Sequence, residues 1–358
     1  MNSISNIETY FQKAVELLKQ LIAIPSISKE EDKTADLIYR YLTTEGFSVH
    51  RKGNNIWVKS MISDSLPTIL LNSHHDTVKP SSSWTTDPFK PMEIEGRIYG
   101  LGSNDAGASL VSLMMAFFYL HSKKNRKYNL LYSATAEEEI TGVNGVKSIL
   151  DDLGKIDLAL VGEPTNMQMA VAEKGLMVLD CKATGKSGHA ARNEGINAIY
   201  LAMDDILWFH NFQFPHESTL LGKVKMSVTV INAGTQHNVV PDECNFVVDV
   251  RTNEFYTNQQ ALEIIQSKVK NVSVTARSLR HNSSHIPLQH PVVKRGQELG
   301  LTYYGSPTTS DQTVIRLTSV KIGPGDSARS HTANEFIIMD EIKNGIETYI
   351  RLLENLEI

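Results

Sequence analysis

The chain has 358 residues, which is long for a single hydrophobic core, so we expect two domains, one of them inserted into the other. Hydrophobic residues make up 41% and charged residues 21%, and the formal net charge is −5. These values are typical of a globular enzyme, and they argue against nucleic acid or an anionic membrane as a partner.

The first residues predict an amphipathic helix, because apolar side chains recur there at helical spacing without a basic start or a cleavage site. The longest apolar run, Leu110 to Leu120, is too short to cross a bilayer. Neither Cys181 nor Cys244 lies in a C-x-x-C motif. We therefore expect a cytoplasmic protein with reduced thiols, with a single disulfide as the alternative.

The first part of the chain alternates strands and helices. Continuous apolar runs at residues 66–72, 129–135 and 156–162 predict strands that are covered on both faces, and residues 110–121 predict a helix between two of them. This alternation predicts an α/β layered sheet with mostly parallel strands.

The pattern changes near residue 176, where apolar and polar residues begin to alternate. The predicted elements follow in the order β-α-β-β-α-β with one polar sheet face, which is the ferredoxin-like pattern. We expect this second domain to cover residues 176–283. Residues 1–175 and 284–358 should form the other domain, because the C-terminal stretch resumes α/β character.

Candidate metal ligands follow the predicted strands. In SHHDTV, the side chains of His74 and Asp76 point to one side of an extended chain, so the carboxylate could hold the second nitrogen of a ligating imidazole. A turn with surface histidines is the alternative. Asp105 lies in a glycine-rich loop, where a carboxylate can approach a ligand closely or simply cap the following helix.

The segment TAEEEITG places three adjacent carboxylates at the end of a buried strand, where they repel one another unless a cation or solvent relieves them. Because successive side chains diverge, Glu138 and Glu139 should serve different tasks; a solvated acidic loop is the alternative. Glu163 follows another apolar strand, and His331 lies in a Gly/Pro-rich loop. Together these residues predict a pair of metal ions with nitrogen and oxygen ligands, and the lack of thiolates excludes a structural Cys-type zinc site.

The motifs H-x-D, G-x-x-D, T-x-x-E-E, G-E-P-T and S-H-T-x-x-E occur in this order and resemble the M20 metallopeptidase family. The resemblance implies a di-zinc exopeptidase-like mixed sheet between helices, with an inserted ferredoxin-like domain that serves as a dimerisation surface or lid. It implies that His74 and Glu163 bind one Zn²⁺ and that Glu139 and His331 bind the other. Asp105 would bridge the two ions, for which Co²⁺ or Mn²⁺ could substitute.

The resemblance also implies catalytic roles. Asp76 would orient the imidazole of His74, and Glu138 would act as the general base. The neighbouring Glu137 leaves the frame of the three glutamates ambiguous. The Asp105–Ala106 peptide is expected to be cis, as in the relatives.

Further matches lie in the inserted domain. His189, in KSGHAARNEG, would stabilise the oxyanion, in many relatives across a dimer, so we expect a homodimer through this domain. Asn238 and Arg251 would contact the substrate, although a surface salt bridge is an equal alternative for Arg251. The loop Thr308 to Thr313 resembles the family's G-T-S-D loop but has Thr in place of Gly, so we assign it no role.

The resemblance implies an N-acyl-amino-acid deacylase with a small-molecule substrate. An acetylornithine deacetylase of arginine biosynthesis is favoured, since no export signal is evident, and N-acetylcitrulline or N-succinyl substrates fit equally well. A succinyl-diaminopimelate desuccinylase or a lysine-branch deacylase is the second hypothesis, and a dipeptidase is the third. A catalytically inactive binding or scaffold relative is the alternative from a different class, and it should lack at least one of the ligands or the base.

Overall fold

The structure is a computed structural model that describes residues 4–192, 194–315 and 317–358. Contacts between residues divide the chain into two compact units. The first contains the chain up to Val171, His285–Tyr304 and the chain from Ser310 onwards; the second contains Ala172–Ser284 and Gly305–Thr309. The expected roles of the inserted domain in dimerisation or as a lid stay predictions.

Helices and strands alternate through the first unit and resume after the second. The helices are α1 Ile4–Ile22, α2 Asp32–Thr44, α3 Ala108–His121, α4 Leu150–Leu153, α5 Ala198–Asn211, α6 Asn258–Lys268, α7 Pro291–Glu298, α8 Gln312–Ile315 and α9 Met339–Leu353. The strands are β1 Val49–Lys52, β2 Asn55–Ser60, β3 Thr68–His74, β4 Met92–Ile94, β5 Arg97–Tyr99, β6 Asn129–Thr135, β7 Leu158–Val161, β8 Met169–Glu173, β9 Gly175–Thr184, β10 Gly188–His189, β11 Lys225–Ala233, β12 Val239–Val240, β13 Glu243–Thr252, β14 Val272–Ala276, β15 Ser284–His285, β16 Tyr303–Ser306, β17 Ser319–Lys321 and β18 Phe336–Ile338.

A large mixed sheet forms the centre of the first unit, with strand order β1-β2-β6-β3-β7-β17-β8-β15. Its strands β6, β3 and β7 run parallel, as the continuous apolar runs predicted, and β17 continues the parallel arrangement beside β7. Strands β1 and β2 pair antiparallel at one side. The parallel strands end at the same edge of the sheet. The loops that follow β3, β6 and β7 therefore meet at one place.

Helix α3 covers one face of this sheet and is itself enclosed by α1 and α9. Its residues from Ala108 to Leu120 are all buried, which explains why its sequence is apolar on every side rather than amphipathic. The helix predicted over residues 110–121 is confirmed and begins two residues earlier. Within the described residues, none of the helices combines the length and apolar character needed to cross a bilayer.

The second unit has the predicted ferredoxin-like order, since β9, α5, β11, β13, α6 and β14 follow one another along the chain. Its antiparallel sheet has the strand order β11-β13-β9-β14. The alternating apolar residues of β9 and β13 lie on the buried face, where Leu179 and Phe246 pack with Phe209 of α5. Val230 of β11 follows a shift in the strand register and is exposed. Cys181 and Cys244 are buried in the same core as free thiols, so the two residues do not form the alternative disulfide.

A substitution at Phe246 tests this core directly. The residue is 1% exposed, and its ring packs edge to face against that of Phe209. We expect Phe246→Ala to lower the free energy of unfolding by about 3–5 kcal/mol through lost burial and the cavity left behind. Phe255→Ala, at a side chain of the same type that is 52% exposed, should cost less than about 1 kcal/mol. Urea unfolding followed by far-UV circular dichroism measures both; equal losses would contradict the assigned core.

Candidate active site

His74 is the last residue of β3, and its imidazole faces the edge where the parallel strands end. The side chain is buried, and its Nδ1 lies 3.0 Å from the carbonyl oxygen of Asp76 and 3.4 Å from its Oδ1. His75 points the other way, with its ring nitrogens bonded to Thr34 Oγ1 and the carbonyl of Asn54. The alternation of side chains in extended backbone thus leaves His74 Nε2 facing the site.

Asp76 connects β3 to the loop that follows β6. Its Oδ1 accepts the backbone N–H of Glu138 at 3.0 Å, and its Oδ2 accepts that of Glu139 at 3.2 Å. Ser28 donates its hydroxyl to Oδ2 at 2.6 Å. The fully buried carboxylate therefore contacts the imidazole of one candidate ligand and fixes the backbone of the two glutamates.

The three adjacent glutamates separate into different environments. Glu137 adopts a positive φ of 56°, and its carboxylate turns away to accept hydrogen bonds from the backbone and side-chain amides of Asn144. Glu31, which is also buried, accepts the backbone N–H of Glu137 at 3.2 Å. Only Glu138 and Glu139 therefore face the other candidate ligands, which resolves the frame ambiguity of the sequence.

Asp105 lies in the glycine-rich loop before α3. Gly102 has φ +76°, and a Cβ atom at this position would lie 2.7 Å from Thr77 Cγ2, so the turn requires glycine. The Asp105–Ala106 peptide is cis, as the resemblance implied. The loop brings the Asp105 carboxylate beside His74.

The other four proposed ligands lie around Asp105. His74 Nε2 lies 3.3 Å from Asp105 Oδ1 and 3.7 Å from Glu163 Oε1. On the other side, His331 Nε2 lies 3.6 Å from Asp105 Oδ2 and 2.8 Å from Glu139 Oε2. The two oxygens of Asp105 thus face different histidines, which is the arrangement of a bridging carboxylate.

Burial, together with the charge of neighbouring carboxylates, raises the pKa values of several groups in the site. Burial, followed by the charge of Glu163, raises the pKa of Glu138 well above its ordinary range. Burial raises the pKa of Glu163 in the same way, against the opposing effect of His74. For His74 burial opposes the charged form, but hydrogen bonds to Asp105 and Asp76 outweigh it and raise the pKa well above normal.

His331 is the most exposed of the proposed ligands, with 56% of its side chain accessible. Its hydrogen bond with Glu139 raises the pKa of His331 to about 9. Burial raises the pKa of Glu139, although His331 opposes this. In the metal-free protein, protons on the two histidines therefore balance part of the carboxylate charge.

These residues fit a pair of divalent metal ions. Two groups of side chains, His74 with Glu138 and Glu163, and His74 with Asp105 and Glu139, each have potential ligand atoms within 4.8 Å of one another. Two ligands bound to one tetrahedral zinc ion, at roughly 2 Å each, lie about 3.3 Å apart, which is close to the spacings around Asp105. Imidazole nitrogens with carboxylate oxygens are also the donors that zinc takes in catalytic sites.

Asp311 lies in the T-S-D loop, to which no role was assigned from the sequence. It belongs to a polar network beside the site. Asn72 Nδ2 and Thr135 Oγ1 donate to its Oδ2 at 2.8 and 2.9 Å, and Ser133 Oγ donates to Asn72 Oδ1 at 2.6 Å. These partners sit near the ends of β3 and β6. The network therefore joins the loop to the two strands that carry the ligands.

Glu335 ends the S-H-T-x-x-E motif and was likewise given no role. Its side chain is buried and accepts backbone N–H groups from Gly102, Asn104 and Asp105. Burial, followed by the charge of Asp105, raises the pKa of Glu335 to about 8. The role of Glu335 could not be predicted from the sequence, because its partners are backbone groups and any residue type can supply a backbone N–H.

The three site residues predicted in the inserted domain lie in the second unit. His189 pairs with Val239 between β10 and β12, and the N–H of Ala190 donates to the carbonyl of Asn238 at 3.0 Å, so His189 and Asn238 are neighbours. Arg251 is the second-last residue of β13. It lies roughly 26 Å along the strand from Glu243, the first residue of β13.

Arg251 forms the salt bridge that was the alternative for this residue, with Nε 2.8 Å from Asp249 Oδ1. The substrate contacts of Asn238 and Arg251 and the oxyanion role of His189 stay predictions.

Burial raises the pKa of Asp311 to about 6, against its two hydrogen bonds, and this predicts a pH effect. Because the folded pKa lies above the unfolded value near 3.9, the charged form is disfavoured in the native state. The metal-free wild type should therefore lose roughly 2 kcal/mol of stability relative to Asp311→Asn between pH 4 and pH 7. Urea unfolding at both pH values measures this difference, and a pH-independent difference would contradict it.

Known proteins are similar in sequence to most of the chain. The sequence model of peptidase family M20/M25/M40 matches residues 70–355. Acetylornithine deacetylase of Proteus mirabilis is 28% identical, covering 95% of this chain and 96% of its own length. Succinyl-diaminopimelate desuccinylase of Orientia tsutsugamushi is 26% identical over 72% of this chain and 71% of its own.

Solved structures share the fold at lower identity. Aminopeptidase PepT of Bacillus cereus superposes with a TM-score of 0.78 at 19% identity, covering 96% of this chain and 98% of its own. The YXEP protein of Bacillus subtilis, a dinuclear metal-binding peptidase of the M20 family, gives 0.73 at 15% identity, covering 97% and 98%. With the family model matching most of its length, the chain belongs to peptidase family M20/M25/M40 and is a hydrolase of that family.

Proposed function

We propose that this protein is a metal-dependent amidohydrolase that removes the acyl group from an N-acylated amino acid. The observation that carries the proposal is the bridging position of Asp105, whose two carboxylate oxygens face His74 and His331 separately. Relatives similar over nearly the whole chain include enzymes named for deacylation of acetylornithine and of succinyl-diaminopimelate.

The proposed ligands are His74 and Glu163 for one metal ion and Glu139 and His331 for the other, with Asp105 between them. The donor set favours two Zn²⁺ ions, and Co²⁺ or Mn²⁺ can replace zinc at nitrogen and oxygen ligands. A bound metal pair supplies Lewis acidity toward the amide carbonyl and lowers the pKa of water.

Glu138 is placed to move the proton. Its Oε2 lies 4.0 Å from His74 Nε2, on the ligand side of the loop, and burial favours its protonated form. A carboxylate with a raised pKa can accept a proton from the attacking water and donate it to the departing amine nitrogen. Asp76 keeps the His74 ring in place, and the hydrogen bonds from the Glu138 and Glu139 amides keep the loop in register with it.

N-acetylornithine is the favoured substrate, and arginine biosynthesis the favoured pathway, because the Proteus mirabilis enzyme aligns over 95% of this chain. N-acetylcitrulline and N-succinyl derivatives are equally compatible with the ligand set. Succinyl-diaminopimelate is the second candidate, supported by a relative of Colwellia psychrerythraea that aligns over 96% of the chain at 24% identity. An inactive scaffold relative is disfavoured, because each of the ligands and the base is present.

Amine release from a panel of substrates tests the proposal. Zinc-loaded protein is incubated with N-acetylornithine, N-acetylcitrulline, their N-succinyl counterparts and N-succinyl-diaminopimelate. We expect release from one acyl-amino acid at kcat/KM above about 10⁴ M⁻¹s⁻¹, with N-acetylornithine first in the ranking. No release from any substrate, by a protein with two bound metal ions, would contradict the deacylase assignment.

Glu138→Gln isolates the proposed proton transfer, since the amide keeps the size of the side chain but cannot accept the proton. We expect kcat to fall roughly 10²–10⁴-fold while two metal ions stay bound. Glu137→Gln is the matched control, because this neighbour points at Asn144, and its kcat should fall by less than about tenfold. Initial rates and metal analysis measure both variants; similar losses in kcat would contradict the separate roles.

The protein is further proposed to form a homodimer through the second unit. In the described part of the chain, β11 pairs with β13 alone, so its outer edge is free. Apolar side chains near this edge and along the outer side of α5 are about half exposed or more: Ile196 53%, Tyr200 68%, Met203 50%, Leu207 55%, Val230 47% and Ile231 54%. A surface that combines an unpaired apolar edge strand with an apolar side of a helix can bind the same surface of a second copy of the chain.

Light scattering coupled to gel filtration tests this interface. The wild type should have about twice the chain mass of 39.9 kDa, whereas Tyr200→Asp combined with Val230→Asp should be monomeric, since two charges would be buried in the interface. Phe255→Asp, at an equally exposed aromatic residue elsewhere in the unit, should stay dimeric. A monomeric wild type would rule the interface out.

A cytoplasmic location is proposed on chemical grounds. Cys181 and Cys244 lie on adjacent strands of the second unit, yet both are free and buried. Burial raises the pKa of Cys181 to about 12, so this thiol is poorly reactive. These thiols suit a reducing compartment, and the negative net charge gives no reason to expect nucleic acid or a membrane as partner.

A further inference from the structure

We propose that Glu335 is a positioning residue that fixes Asp105 and His331 relative to each other and thereby completes the second metal position. The inference rests on the proposed function. Glu335 is a buried residue, only 2% exposed, and its carboxylate meets the Asp105 loop. Three backbone N–H groups of that loop converge on it, so its contact with the site is through the backbone.

The geometry of these bonds is specific. Oε1 accepts the N–H of Asn104 at 2.7 Å and that of Asp105 at 2.9 Å, and Oε2 accepts the N–H of Gly102 at 3.0 Å. Three donors on two oxygens require a group that accepts at both atoms, which the ionised carboxylate provides. These three hydrogen bonds favour the ionised form, against the burial that raises the pKa of Glu335. The Asp105 carboxylate therefore takes its position from Glu335 through its own amide.

Glu335 is held in place by the chain around it. Strand β18 starts at the next residue and pairs with β5, with Phe336 opposite Tyr99. The N–H of Gly100 donates to the carbonyl of Glu335 at 3.0 Å. The pairing of β5 with β18 therefore continues up to the glycine-rich loop. Its register determines the position of the Glu335 carboxylate relative to that loop.

Asn104 adds a second link between the same two segments. Its Nδ2 donates to the carbonyl of Asp326 at 3.0 Å, and its Oδ1 accepts the N–H of Asp326 at 3.1 Å. His331 lies between Asp326 and Glu335, so the loop that carries it is tied to the Asp105 loop at both ends. Although far apart in sequence, the bridging carboxylate and the exposed histidine belong to one hydrogen-bonded assembly.

The two metal positions depend on this assembly unequally. His74 is oriented by Asp76, which also fixes the backbone of Glu139, and neither contact involves Glu335. The position between Glu139 and His331 depends on the loop that Glu335 anchors. Asp105 is shared by both positions, but His331, whose loop Glu335 also anchors, belongs to the second position alone. Loss of the carboxylate should therefore weaken this second position much more than the one that keeps His74 and Glu163.

Glu335→Gln tests the inference, because the amide keeps the size but places an NH₂ group against a backbone N–H donor. Zinc binding to the metal-free protein is measured by titration calorimetry with a competing chelator. We expect the wild type to bind two ions, and E335Q to bind the first within about threefold of wild type. The second ion should bind roughly 10–100-fold more weakly, the range expected when a group that orients a ligand is lost.

Asp205→Asn is the matched control. Asp205 is a buried carboxylate in the second unit whose two oxygens accept the backbone N–H groups of Lys270 and Asn271. It should lower the melting temperature of the metal-free protein as E335Q does, without changing either zinc affinity. If E335Q does not fold, Asn104→Ala, which removes the second link, is titrated in the same way, and the same selective loss is expected.

The outcomes separate the two proposals. Unchanged binding of both ions by E335Q, or equal weakening of both, means that Glu335 is only structural and overturns the inference while leaving the deacylase assignment in place. A folded wild type that binds no zinc overturns the proposed function and this inference with it. A selective loss of the second ion supports the positioning role even before any substrate is known.

Discussion

Mutual repulsion among buried carboxylates is the constraint on which the rest of the structure depends. Asp105, Glu138, Glu139 and Glu163 meet where parallel strands end, and two histidines face the same carboxylates. Such a cluster is costly unless positive charge is present, and burial is the largest cause of the raised pKa values of three of them. The pair of divalent ions proposed for this site would remove this cost. The site is therefore an arrangement that favours metal binding and, with metal bound, hydrolysis.

The scaffold holds this unfavourable arrangement with a shell of further buried acids. Asp76 fixes the two glutamates through their amides, Asp311 joins β3 and β6, and Glu335 fixes the Asp105 loop. Each acts on ligands through backbone or polar side-chain groups. Catalytic sites need side chains held within about half an ångström, and backbone hydrogen bonds supply this rigidity. The surrounding acids thus hold the candidate ligands in place through hydrogen bonds.

Much of the fold and the grouping of the candidate ligands was predictable, because both depend on local patterns. Apolar runs marked β3, β6 and β7, and polar residues directly after them marked the site. The orientation of Glu137 was not predictable, since it follows from a positive φ and from Asn144. Asp311 and Glu335 were missed because their partners are distant in sequence. Arg251 could not be assigned either, since a strand-end arginine looks the same whether it pairs with Asp249 or with a substrate.

Anomalous X-ray diffraction from crystals of the zinc-loaded protein, recorded on both sides of the zinc absorption edge, tests the central claim most directly. The account predicts two zinc peaks roughly 3.5–4 Å apart, with one oxygen of Asp105 on each, His74 on one and His331 on the other. A single peak, or zinc bound elsewhere with Asp105 turned away, would contradict it.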